Sequence, residues 1–164
     1  MNRCDGEVLR RQVAHLAALY VILRQLHGTL ARADVVALLL EIVAGMIGSE
    51  KLAVFERDDD GAFRLIASMG VDADDYRDVH AARDPLGRLL ASGTRYIAGQ
   101  PHALADELEM PIAAALPLHV HGRVTGGIVL FSLLPQKHGF DEVDHQLFDL
   151  LTTHGAIALR STEK

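Results

Sequence analysis

The chain has 164 residues, 22 acidic against 16 basic, a formal net charge of −6 and a hydrophobic fraction of 49%. That length and composition suit one folded domain and exclude disorder over most of it. The acidic balance argues against nucleic-acid binding, which draws its affinity from neutralising phosphates, and the single cysteine, Cys4, excludes an internal disulfide, a CxxC pair and a cysteine-rich zinc site.

Asp5, Glu7, Arg10 and Arg11 precede any apolar stretch, so the N-terminus does not read as a secretory signal. From Glu7 to Leu30, apolar residues recur at Leu9, Val13, Leu16, Tyr20, Leu23 and Leu30, with His27 in the remaining heptad slot. This four-and-three spacing is a coiled-coil-like seam. Leu19, Ile22 and Leu26 form a second stripe on an adjacent face. A helix with two apolar faces has to cover its own domain and something else, most economically another subunit. Asp34 can cap a second helix running to Ile47, which Gly48 ends as a left-handed C-cap.

Lys51 to Arg57 reads as a strand, Asp58-Asp59-Asp60-Gly61 as a hairpin turn and Ala62 to Ser68 as the partner strand. Val71 to Arg83 is polar and acidic without a firm period. Asp84-Pro85 gives an N-cap with proline at the first helical position, and Gly93 closes that short helix. Thr94 to Ile97 makes a short strand, and Ala98 to Met110 is irregular or loosely helical. Ile112 to Val120 and Val124 to Leu133 form the strongest hairpin, turning at His121-Gly122-Arg123. Both strands are nearly continuous apolar runs, which places them in a sheet covered on both faces. Asp141 caps a last helix with Val143, Leu147, Leu150, His154 and Ile157 on one face. No stretch approaches the roughly 20 apolar residues of a membrane span. The expectation is a cytoplasmic α+β protein with a central antiparallel sheet of about five to six strands. Terminal helices back that sheet, and shorter helices and loops lie on its other face.

Three motifs in this order resemble the GAF domain family: Asp84-Pro-Leu-Gly-Arg-Leu-Leu-Ala-Ser-Gly93, the hairpin Ile112 to Phe131 with its Pro117-Leu118 and Gly126-Gly127, and Phe140-Asp-Glu-Val-Asp144 opening the last helix. The resemblance implies a single GAF/PAS-like domain over residues 1–164, with its core at about 19–160 and residues 1–18 extending a dimerisation helix. It implies a ligand site between the central sheet and the insertion from about Tyr76 to Met110. There Tyr76, His80, Arg83, Tyr96, His102 and Glu107 are the polar candidates for a small ligand. Ala113, Ala114 and Ala115 would either leave room for a ligand or let a helix pack close to the sheet.

Particular residues weigh against specific chemistries of this family. Free methionine sulfoxide reductases are similar in fold but need active-site cysteines, and bilin attachment needs a pocket cysteine; Cys4 lies outside the expected pocket. His119 and His121, two apart on one strand, would point to one face, yet two imidazoles without a third ligand make a poor metal site. Haem-binding relatives take an axial histidine just before the central hairpin. Here that stretch is Asp106-Glu-Leu-Glu-Met-Pro111, with His102 and His80 as the nearest alternatives. Neither metal nor cofactor is expected, and no catalytic arrangement emerges, so an enzyme is not expected.

The leading expectation is a non-catalytic sensory or regulatory domain that binds a small ligand or a signalling partner. It would act as a homodimer through Leu9, Val13, Leu16, Tyr20, Leu23, Leu150, His154 and Ile157. With the chain filled by one such domain, its output would act in trans on a kinase, cyclase or chemosensory component. An interaction module with a vestigial pocket is the alternative, and a haem sensor a third reading.

Overall fold

In the computed structural model the described residues are 10, 32–80, 83–102, 104, 106, 108 and 111–161. The heptad positions Leu9, Val13, Leu16, Tyr20 and Leu23, the candidate Glu107, Cys4 and the side chain of His154 lie outside them.

Helix α1 (Arg32–Glu41) passes into a π-helical turn, Ile42–Ile47, so the helix expected to Ile47 changes winding near its middle. Gly48 ends it at φ +91°, and its N–H bonds back to the Val43 carbonyl. That left-handed step is open to glycine at little cost. Strand β1 (Ser49–Arg57) follows at once, turns through Asp58 to Gly61, and pairs antiparallel with β2 (Ala62–Met69). Asp58 builds the turn by accepting from the N–H groups of Asp60 and Ala62, both at 3.0 Å, and from Arg64 Nε at 2.8 Å.

The segment expected to lack regular structure holds a 3₁₀ turn at Ala73–Tyr76 and strand β3 (Asp78–His80), which pairs with β2. Three residues with polar ends carry no periodic signal; the pairing with β2 makes them a strand. Helix α2 spans Pro85–Ala91. Its N-cap is Asp84, but the carboxylate accepts from the His80 N–H at 2.8 Å and makes no cap bond. The carboxylate thus ties the start of α2 back to the end of β3.

Strand β4 is only Tyr96–Ile97, β5 is Ala114–Val120 and β6 is Arg123–Leu133. The β5–β6 turn is the two residues His121 and Gly122, at φ +52° and +78°, and Arg123 already belongs to β6. Two positive φ values match a tight turn whose twist suits a hairpin. His121 therefore does not share a strand face with His119.

The six strands run in the order β3-β2-β1-β6-β5-β4, all pairs antiparallel. Alternation along β1 explains the layering. Leu52 and Val54 join a cluster with Leu39, Ile42, Leu147, Phe148 and Leu151, on the side of the terminal helices. Ala53 and Phe55 join Phe63, Leu89, Leu90 and Val129, on the side of the insertion. The expected two-sided burial of the central strands is met.

Helix α3 (Glu142–Leu150) continues through a π-helical turn, Leu151–Gly155, into α4 (Ala156–Ser161). Asp141 accepts from the Asp144 N–H, and Asp144 accepts from the Asp141 N–H, a reciprocal capping box. Asp144 is fully buried and also accepts from Lys137 Nζ at 2.6 Å. That bond ties the loop after β6 to the start of α3.

Candidate functional site

The insertion covers one face of the sheet, and its polar candidates fall in separate groups. Tyr76 stacks at a tilt on Phe131 of β6, ring centroids 4.9 Å apart. Burial, and secondarily the charge of Asp75, pushes its phenol above the ordinary value, so the hydroxyl stays neutral at physiological pH. His80 ends β3 at the sheet edge opposite Ala62, and Arg83 is exposed in the following turn.

Tyr96 and His102 come together as an edge-on pair, centroids 5.9 Å apart at 78°. Tyr96 stands in β4 opposite Ala115, and Ala115, Leu104 and Leu108 all pack into the insertion-side cluster. The three alanines before Leu116 divide their roles: Ala114 lies in the helix-side cluster and Ala115 in the insertion-side cluster. Strand alternation separates what the sequence presents as one run.

Two adjacent glycines of β6 allow close approaches, Gly127 to the insertion and Gly126 to the neighbouring strand. A Cβ on Gly127 would lie 2.5 Å from Leu90 Cδ2 of α2, and one on Gly126 would strike the Phe55 carbonyl oxygen of β1. Across the sheet's end, Arg95 reaches Asp149 of α3 at 2.7 Å and lies over the Phe148 ring. The insertion, the sheet and the C-terminal helix are thus in direct contact.

A cleft of about 950 Å³ opens at the end of the sheet where both hairpin turns lie, a place the sequence reading did not propose. Arg57, His119, His121 and Arg123 line it, with Gly93 after α2 and Leu159 of α4. Arg57 stacks over Phe63, and His119 Nε2 bonds to the Gly93 carbonyl at 3.1 Å. The signal that could have found it is topological. Pairing β1 antiparallel to β6, Glu56 opposite Gly126, brings the turns 58–61 and 121–122 to one end. Among the described residues, no three His, Cys, Asp or Glu side chains gather to hold a metal ion, and no helix is long and apolar enough to cross a membrane.

The sequence pattern described as GAF domain matches residues 29–160, well over half of the chain. The chain belongs to the GAF domain family. GAF domains are generally sensory or regulatory and non-catalytic, and this one has their α+β fold. It is similar to the GAF domain of a phosphoenolpyruvate-protein phosphotransferase from Coxiella burnetii, at 17% identity and TM-score 0.66, over 90% of this chain and 93% of that one. It also resembles residues 122 to 287 of a methyl-accepting chemotaxis protein, at 13% identity and TM-score 0.62, over 86% and 96% of the two chains. A free methionine-R-sulfoxide reductase from Neisseria meningitidis, in complex with its substrate, aligns at 20% identity and TM-score 0.58, over 91% and 88%. At these identities the likeness is one of fold. No curated protein matches this GAF domain in sequence.

Proposed function

We propose that this GAF domain is a non-catalytic regulatory module that binds a small ligand between its sheet and its insertion. It passes the binding event to its terminal helices, which act on a partner in trans as part of a homodimer. The observation that carries this reading is the layering. One sheet has the insertion on one face and the terminal helices on the other, with Gly127 of β6 lying directly under Leu90 of α2. Packed layers respond to an inserted ligand by shifting as units. The partner has the chemistry of a signalling protein: a kinase, a cyclase or a chemosensory component. The non-catalytic reading rests on the side chains. The single cysteine is residue 4, before the family match begins, so it falls outside the matched domain.

The partly buried Leu65, Tyr76, Leu104, Leu108 and Phe131, which pack against the insertion-side cluster, support a second reading, an interaction module whose pocket is vestigial. A thermal-shift screen of nucleotides, carboxylates, amino acids and other small metabolites separates the two. A saturable rise in Tm with one chemical class is the expected outcome. A flat screen on a well-formed dimer would overturn the ligand reading in favour of the interaction module.

A further inference from the structure

Among the described residues, His102 Nε2 is the one histidine nitrogen that is buried without a hydrogen-bond partner. The other ring nitrogen is occupied, because Nδ1 accepts from the Leu104 N–H at 3.1 Å. A ring nitrogen that accepts carries no proton, so in the neutral imidazole the proton is on Nε2. His102 therefore presents an enclosed N–H donor with no acceptor. Buried donors are almost always paired, and an exception demands an explanation.

The surroundings hold the ring in place. The imidazole stands edge-on to Tyr96, and Tyr96 is held by its β4–β5 pairing with Ala115. Leu104, whose N–H fixes the tautomer, is packed into the insertion-side cluster. The donor thus stands where the short edge of the sheet meets the insertion, held by partners on both.

We propose that His102 Nε2–H is the recognition donor for a carbonyl or carboxylate oxygen of a small ligand held between sheet and insertion. This rests on the ligand-binding reading above and adds the chemistry that the ligand must carry. A metal or haem iron is the wrong partner for this nitrogen. Coordination uses a lone pair, and the proton occupies that position here. A metal-bound histidine also normally donates from its other nitrogen, whereas Nδ1 of His102 accepts.

The experiment uses the full chain labelled with ¹⁵N-histidine, with His102→Gln serving to assign the signal. Long-range ¹H–¹⁵N spectra report which ring nitrogen is protonated. Sodium acetate and acetamide are the probes, titrated against sodium chloride at matched ionic strength. His102 is expected to start as the Nε2–H tautomer and to shift saturably with at least one probe while the other histidines stay in place. Response to acetate alone identifies a carboxylate site, and response to acetamide alone a carbonyl site. An unprotonated Nε2, a silent His102, or a common drift of all nine histidines would overturn the proposal.

Two variants add an affinity readout. His102→Leu removes the donor and keeps the bulk; His102→Gln keeps an N–H donor and an acceptor for Leu104. A metabolite that raises the Tm of the parent chain is expected to bind His102→Leu at least tenfold more weakly, and to recover most of that loss in His102→Gln. Unchanged affinity in a folded His102→Leu would sink the role of His102 and leave the ligand-binding reading standing. A flat metabolite screen together with a silent His102 would sink both.

Discussion

Gly126 and Gly127 are adjacent in β6, yet they answer to different constraints. A side chain at Gly126 meets the Phe55 carbonyl, backbone of the neighbouring strand that cannot move aside. One at Gly127 meets the methyl groups of Leu90, the far end of a flexible side chain. Gly127→Ala is therefore expected to cost about 1–3 kcal/mol, the usual penalty of overpacking, and Gly126→Ala clearly more. Urea denaturation of the two variants checks the order, and equal midpoints would contradict it. Asp58 supplies a pH prediction. Burial raises its pKa, but the Ala62 N–H, the Arg64 guanidinium and the Asp60 N–H together outweigh that and hold the carboxyl below its ordinary value. A lowered folded-state pKa gives stability that is present above the unfolded value of about 3.9. That stability is lost as pH falls through the folded value. Asp58→Asn should flatten the acid limb of a plot of Tm against pH below about pH 4, and an unchanged limb would show that the turn carboxylate plays no such part. This turn was legible because one Asp-rich tetrapeptide ending in glycine lies between two apolar runs. The pairing of Tyr96 with His102 was not legible, since it depends on how a loop of no periodicity folds back.

At the scale of elements, the β5–β6 hairpin was legible from its two apolar runs and turn residues. Its exact turn was not: the register makes His121-Gly122 a two-residue loop and gives Arg123 to the strand. His121, at φ +52°, is in the left-handed region where asparagine is better tolerated. His121→Asn is expected to stabilise the protein slightly, on the order of 0.5 kcal/mol or less. Gly122→Ala, at φ +78°, should destabilise it by about 1–2 kcal/mol. Paired urea curves measure both, and the same sign for the two would refute the turn assignment. The π-helical turns at Ile42–Ile47 and Leu151–Gly155 had no signature in the sequence. A π turn differs from an α turn by one residue in hydrogen-bond span, too little to break an apolar period. Strand β3 escaped notice for a related reason: its identity is its partner's.

Across the whole molecule, the terminal helices lie on one face of the sheet and the insertion on the other. Of the residues expected at a subunit interface, Ile157 is 44% exposed whereas Leu150 is 6% exposed and belongs to the helix-side core. Ile157 thus has surface available to a second copy, and Leu150 first serves its own domain. The dimer proposal then rests chiefly on the heptad seam. Leu16→Glu combined with Leu23→Glu is expected to give a folded monomer by light scattering with an unchanged Tm transition for the core. An unchanged dimer mass would defeat the heptad argument.

The sequence by itself determined the class of the molecule. Apolar runs, turn residues and caps are local signals, and they placed an antiparallel sheet of about five to six strands, its central hairpin and its closing helix before any contact was known. Only the tertiary structure decided which residues share a space. It split the three alanines between two faces, parted His119 from His121, and left Nε2 of His102 enclosed without a partner beside Tyr96. Those outcomes follow from strand register and from loop closure, which leave no trace in the period of the segments concerned.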